Sequence, residues 1–469
     1  MAIDIPVRPG QYGERVAAVE PGGAELVPAG ERHGRPRQLF WTWTSPNLEF
    51  ATVFVGVLAV AVFKLSFWQA GLALLVGTAL GSVSHAVLSA RGPSHGVPQM
   101  VLGRVAFGYW GNLLPAGLMS VTAGIGWFAV NSVSGAFALN TLTKLPELAC
   151  LVIIVAVQIV VAFFGHNLVH VFERYAFPFL VVVFLLASVV ILGKAHPSAA
   201  TGGGGVGGFL LTAAAAFGYA SGWNPYAADY TRYLPADVSR RAVGLAAGLG
   251  LFVSCFVLEL VGAASVTVGT AAAGNPTSAF TGELPGGLAD LTLLAIAVGA
   301  VAANVLNIYS GAMSFVTLGI RLPAASRRAL VALVFGVLGF LVAWSGLHDT
   351  GQKYESFLLV IAYWIGPWLG VVLTDQLLRR GRRAEGEPVD GLLFNPRHRN
   401  WAGPVAMLVG MVVSIGLFSY QSEYVGLVPR HHPAVGDVTF AVGFVLAAAV
   451  YALLRHGRGR QANGRQTVE

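Results

Sequence analysis

Residues 213–235 read AAAAFGYASGWNPYAADYTRYLP, a membrane-grade apolar helix that meets Gly222, Trp223, Asn224 and Pro225 in succession before reaching Asp229 and Arg232. Proline removes a backbone donor and clashes with the preceding turn, and a neighbouring glycine weakens the helix further. Inside hydrocarbon, loosened backbone survives only where protein buries it or where it lines a cavity. A chain carrying such a break must therefore enclose it among other helices. The indole and the amide placed on the break mark a binding site at membrane depth.

The rest of the chain supplies the enclosing helices. Of 469 residues 55% are hydrophobic and 11% charged, against roughly 25% charged in a soluble domain. A spanning helix needs about 20 apolar residues. Twelve windows qualify: 45–63, 69–88, one within 112–142, 148–165, 175–193, 208–228, 243–269, 291–320, 329–347, 356–374, 401–420 and 438–454. An all-α integral membrane protein with twelve transmembrane helices is expected. Residues 1–40 hold no apolar run, so no cleavable signal peptide is expected. They read as a disordered cytoplasmic tail, and 456–469 as a second tail. Cys150 and Cys255 both lie in apolar stretches, which supports neither a disulfide framework nor a metal site.

A net charge of +7 could suggest nucleic acid, but its distribution points to topology instead. Twelve spans put both termini on one side. That side then carries 24 of the 29 Lys and Arg, leaving Lys64, Lys144, Lys194, Lys353 and Arg430 opposite. The positive-inside rule makes the termini cytoplasmic in the plasma membrane.

Two interruptions suggest an internal repeat. The first helix opens on Ser45-Pro46-Asn47, followed by Glu49, and the sixth breaks at Trp223-Asn224-Pro225. Interrupted helices at the start of two five-helix halves point to an inverted-repeat transporter. The halves would be 45–193 and 208–374, within a domain of 41–455, with two further helices over 401–454.

Trp127 and Asn131 are four apart in helix 3 and share one face. Either they pack and bond within the bundle, as small-residue membrane helices allow, or they offer an aromatic plane beside an amide. Asn304 and Asn307 share a face of helix 8. Buried amides are costly unless paired, so these bond to neighbouring helices or meet a polar ligand. Two tryptophans with several amides suit a planar heterocycle: rings stack on π faces, and an amide donates and accepts at once.

Three stretches, 98–116 (PQMVLGRVAFGYWGNLLPA), 126–131 (GWFAVN) and 221–235 (SGWNPYAADYTRYLP), resemble the nucleobase:cation symporter family in its purine/cytosine permease branch. NIYS at 307–310 and YWIGPWLGVVL at 363–373 extend the likeness. The resemblance implies a LeuT-type fold, with five-plus-five inverted repeats and alternating access. It implies a nucleobase, cytosine or a purine such as adenine, guanine or hypoxanthine, held between Trp127 and Trp223. Asn131 and Asn307 would read its edge, with Asn304 second and Ser45 and Asn47 contributing from the helix 1 break.

Sodium-driven relatives use helix 8 hydroxyls, whereas 295–303 reads AIAVGAVAA. A hard cation needs oxygen ligands, so a co-transported proton is expected, with sodium as the alternative and no other cofactor. Glu259 and Glu49 are the coupling candidates. Glu259, near the middle of helix 7, could equally be a neutral carboxyl bonding a neighbouring helix, since a charge there costs at least ~2.5 kcal/mol. Asp229, Arg232 and Arg104 are gate candidates, with helix capping and topology as their plainer roles. The partners expected are a small nucleobase and membrane lipid, not nucleic acid. Competing readings are a hydantoin, allantoin or vitamin-like heterocycle symporter of the same fold, a channel, and a receptor without transport. No nucleophile–base pair or metal cluster appears at membrane depth, so no enzyme is expected. Gly92-Pro93-Ser94-His95-Gly96 matches a hydrolase pattern that works only on a strand-to-helix turn.

Overall fold

A computed structural model describes residues 24–164, 166–199, 202–269, 275–319, 324–382 and 389–466. Span 1 is two helices, 1a (Gln38–Thr44) and 1b (Phe50–Ala61), bent by 62° at their junction. Then come span 2 (Phe67–Ser89), span 3 (Leu113–Thr143), span 4 (Glu147–Phe164), span 5 (His166–Lys194) and span 6 (Gly205–Thr231). Spans 7 to 12 are Arg240–Val268, Gly286–Thr317, Ala324–Gly346, Thr350–Arg382, Ala402–Phe418 and Thr439–Gln466. Among the described residues eight helices are long and apolar enough to cross a membrane, and the bent pair makes nine. Spans 4, 9 and 11 contribute shorter apolar helices. Trp68, Leu185 and Leu453 stand 69%, 62% and 73% exposed around the bundle, as a lipid-facing surface requires.

Two expectations need correction. Ser45–Asn47 lies mid-span rather than at its start, because the short stretch Gln38–Thr44 also turns helical on the near side of Pro46. And of the expected tail, residues 24–40 are folded: Val27 is fully buried with its amide on the Gly96 carbonyl, while Arg32 bonds the Pro93 and Val27 carbonyls. Residues 1–23 lie outside those described. At the other end, the helix of span 12 continues to Gln466.

The packing repeats at an offset of five helices. Span 1 packs on span 7 as span 6 packs on span 2, and span 3 packs on span 9 as span 8 packs on span 4. Spans 11 and 12 lie against span 10 and each other. Local chemistry sets the element ends: Ser66 and Gln69 form a reciprocal capping box at span 2, and Lys144 closes span 3 at φ +63°. The span 1–span 7 contact is backbone on backbone. A Cβ on Gly262 would lie 1.8 Å from the Val53 carbonyl oxygen, and one on Gly56 would lie 1.7 Å from that of Glu259. Only glycine fits there, which brings the helix 1 break against the bundle centre.

Candidate functional site

The break in span 6 falls as the composition dictates. The helix Gly205–Ser221 stops, Gly222 and Trp223 turn the chain, Asn224–Tyr226 forms a tight turn, and Ala227–Thr231 resumes. The two halves stay within one span, so this break is gentler than that of span 1. Span 3 holds a matching irregularity that the sequence reading missed. Thr122–Trp127 is a π turn ending at Trp127, a distortion frequent at functional sites. Gly124 and Gly126 were its sequence signal, with Phe335 and Phe357 packed where their side chains would be.

Trp127 is 5% exposed, and Tyr219 and Phe357 hold it edge-on at ring distances of 5.3 and 5.1 Å. Its ring meets the span 6 break directly, 3.1 Å from where a Gly222 Cβ would sit. Trp223, 6% exposed, donates its indole N–H to Asn47 Oδ1 at 2.9 Å. Asn47 in turn donates to the Trp43 carbonyl at 2.7 Å, and the Trp43 ring stands 6.0 Å from that of Trp223. The two broken helices are thus fastened to each other through Asn47 and Trp223. Ser45 opens the helix 1 break, its carbonyl accepting from the Leu48 amide.

The amides of spans 3 and 8 meet in one cluster. Asn131 donates to Asn304 Oδ1 at 3.0 Å, as does Asn307 at 3.3 Å, and Asn304 donates to the Phe128 carbonyl at 2.9 Å. Span 6 joins through Tyr226, whose hydroxyl donates to Asn307 Oδ1 at 2.9 Å. Asn131 Oδ1 is buried with no partner among the described residues. Tyr226 was not singled out from sequence, because its partner lies 81 residues away.

Each acidic candidate has its own surroundings. Glu49 precedes span 1b and takes the Tyr219 hydroxyl at 3.1 Å on Oε1, while Glu259 takes the Thr78 hydroxyl at 2.6 Å on Oε2. The gate candidates gather at the face carrying the termini. Asp229 reaches across to accept the Gln99 amide at 2.9 Å. Arg232 is fully buried and stacks its guanidinium on Tyr233, with a bond to the Glu25 carbonyl at 3.5 Å. Arg104 donates to the Leu393 carbonyl at 3.0 Å and the Thr317 carbonyl at 3.1 Å, over the ring of Tyr109. Burial lowers the Arg104 pKa from its ordinary value, and Tyr109 opposes that shift. The hydrolase-like Gly92–His95 is a single helical turn in this region, with His95 on Asp390 at 2.8 Å. On the opposite face a cavity of about 260 Å³ opens between spans 1, 7 and 10, lined by Phe54, Val57, Phe280 and Thr350. Among the described residues no group of three or more His, Cys, Asp or Glu could hold a metal ion.

The chain matches the family model described as a permease for cytosine/purines, uracil, thiamine and allantoin over residues 26–443. It is 31% identical to the purine-cytosine permease fcyB of Emericella nidulans, covering 94% of this chain and 90% of that one. It is 27% identical to the purine-cytosine permease FCY2 of Saccharomyces cerevisiae, covering 88% and 81%. The inward-facing structure of Mhp1 superposes with a TM-score of 0.72 at 19% identity over 94% of each chain, which establishes a shared fold.

Proposed function

The chain belongs to the family of permeases for cytosine, purines, uracil, thiamine and allantoin, and from that premise we propose that it imports a nucleobase by cation symport with alternating access. The cargo is cytosine or a purine, stacked between Trp127 and Trp223, with Asn131, Asn304 and Asn307 reading its edge. One observation carries this: three buried amides and the Tyr226 hydroxyl converge beside an indole that rests on the span 6 break. Among the described residues no arginine or lysine joins that hydrogen-bonded cluster, so its chemistry suits a neutral ring rather than a phosphate or carboxylate.

The protein works as a carrier, not a catalyst, in the plasma membrane with both termini cytoplasmic, following the arginine and lysine distribution. Asp229, Arg232 and Arg104 then latch the cytoplasmic side, and their bonds must break for release inward. The proton is the coupling ion. Span 8 presents no hydroxyl between 295 and 303, and Gly299 faces the Leu48 carbonyl and Glu49 Cβ across the helix 1 break, where a sodium ion would need oxygen ligands from both helices.

Thermal-shift screening of purified protein against a panel of bases, hydantoin and allantoin, with and without sodium, tests the assignment. A base should stabilise the protein most, with no sodium requirement. Counterflow in proteoliposomes then separates a carrier, which exchanges internal for external base, from a channel or receptor. Stabilisation by hydantoin or allantoin alone, or absence of exchange, would overturn the proposal.

A further inference from the structure

Glu49, Tyr219, Thr52 and the Asn47 carbonyl form a hydrogen-bonded chain across the two broken helices, and the Asn47 side chain separately accepts from Trp223. Thr52 Oγ1 donates to the Asn47 carbonyl at 2.7 Å, meets the Tyr219 hydroxyl, and Tyr219 meets Glu49 Oε1 at 3.1 Å. Each hydrogen bond needs its own hydrogen, and these three contacts contain two hydroxyls. With the carboxyl bare, Thr52 donates to the Asn47 carbonyl and Tyr219 donates to Glu49 Oε1, which leaves the Thr52–Tyr219 contact without a hydrogen of its own. The third hydrogen has one remaining source, the Glu49 carboxyl. With it, every bond points one way: Glu49 to Tyr219, Tyr219 to Thr52, Thr52 to the Asn47 carbonyl. Glu259 makes no such demand, since its single bond is closed by the Thr78 hydroxyl.

We propose that Glu49 is the proton-binding site of coupled transport, and that Tyr219 and Thr52 relay its protonation to Asn47 and thereby to the stacking indole of Trp223. This rests on the proton-symport reading above and adds which carboxyl carries the proton and how the substrate wall senses it. Glu49 is 3% exposed. Among the described residues the titratable groups around it are Tyr219 of span 6, Cys255 and Glu259 of span 7, and Tyr354 of span 10, none of them cationic. A bare carboxylate there costs at least ~2.5 kcal/mol, and a proton removes that cost. When the proton leaves, Tyr219 turns its hydrogen to the carboxylate and Thr52 loses its donor. The positive end of helix 1b partly compensates the new charge. The proton itself is carried, not consumed: it binds the carboxylate from one side and is released to the other. The 260 Å³ cavity is lined by Phe54, five residues or about 7.5 Å of helix rise from Glu49.

The test is base affinity against pH for purified protein, read by thermal shift with adenine and cytosine. In the wild type, affinity should fall as pH rises, by up to tenfold per unit for one linked proton. Glu49→Gln, whose amide supplies the missing hydrogen permanently, should make affinity independent of pH. Tyr219→Phe should flatten the slope as well while leaving the carboxyl in place, and this second variant decides the matter if the first does not fold. Glu259→Gln should keep the wild-type slope. A wild-type slope that survives in both Glu49→Gln and Tyr219→Phe overturns this assignment alone. A wild type that ignores pH and requires sodium overturns the proton reading, and this assignment with it.

Discussion

Trp223→Ala removes two things that the structure separates. The indole face is lost, worth about 1–3 kcal/mol by the scale of base–aromatic stacking. The indole N–H is also lost from Asn47 Oδ1, and a buried acceptor without its donor costs a further 1–3 kcal/mol or so. The lost stacking lowers affinity by about fivefold at the least, while the orphaned Asn47 acceptor lowers the stability of free and bound protein alike. Trp223→Phe keeps a ring and loses only the N–H, so it should fall between wild type and Ala. Asn47→Ala removes the same hydrogen bond from the other side. The double variant Trp223→Phe/Asn47→Ala should therefore be less harmful than the sum of the two, with an interaction of about 0.5–3 kcal/mol. The assay is binding of the base selected by the thermal-shift panel, together with uptake into cells and immunoblotted membrane abundance. Affinity of Trp223→Ala within threefold of wild type, at equal abundance, would refute the stacking argument. Equal losses in Phe and Ala would show that the ring face contributes nothing.

Further consequences follow from contacts away from the aromatic wall. Gly262→Ala should cost stability by 1–3 kcal/mol or more, the usual range for overpacking, because its Cβ would meet the Val53 carbonyl at 1.8 Å; a lower apparent Tm and poor monodispersity report it, and a Tm equal to wild type would contradict the close crossing. Arg104→Ala should free the terminus-bearing face, raising the labelling rate of a cysteine placed at Thr317 several-fold. Lys at 104 should not restore closure, since two guanidinium nitrogens serve two separate carbonyls. Asp437, fully buried in the turn before span 12, accepts the Tyr420 amide at 2.8 Å and the Thr439 amide at 3.0 Å and takes the Tyr363 hydroxyl. Burial pushes its carboxyl above the usual range despite those bonds, so ionising it favours the unfolded chain. Stability should therefore fall as pH rises from about 4, the unfolded carboxyl value, towards the folded value. Asp437→Asn should show a flatter Tm–pH curve, and parallel curves would contradict the assignment.

What could be read from the residues was what short spacing encodes. The apolar windows, the Gly-Trp-Asn-Pro break, the shared face of Trp127 and Asn131 and that of Asn304 and Asn307 all lie within one or two helical turns. The helix 1 break was misplaced because Gln38–Thr44 is too short and too rich in threonine to register as membrane helix without the spans that bury Trp43 and Leu39. Thr52 and Tyr219 escaped notice because a hydroxyl in a helix normally bonds back to its own turn, and these two meet across 167 residues. The same distance hides the difference between Glu49 and Glu259. Both are lone acids in apolar stretches, and only the partners brought by spans 2 and 6 tell a hydroxyl relay from a single closed bond.

The amide cluster is already bonded to itself, and that determines how a base can be recognised. A ring entering beside Trp127 exchanges bonds among Asn131, Asn304, Asn307 and Tyr226 more than it adds new ones, so the net gain per bond is small. A ring that breaks those bonds without replacing them leaves buried amides unpaired, at about 1–3 kcal/mol for each group. Sites of this kind reject analogues that lack a hydrogen-bonding group far more strongly than a merely apolar pocket rejects a misfit in size. On the proposed binding mode, Asn131 Oδ1, buried without a partner among the described residues, calls for an N–H on the bound edge. In that mode, stacking on Trp127 and Trp223 would accept any flat ring, and the amides would decide among them by what each edge leaves unpaired.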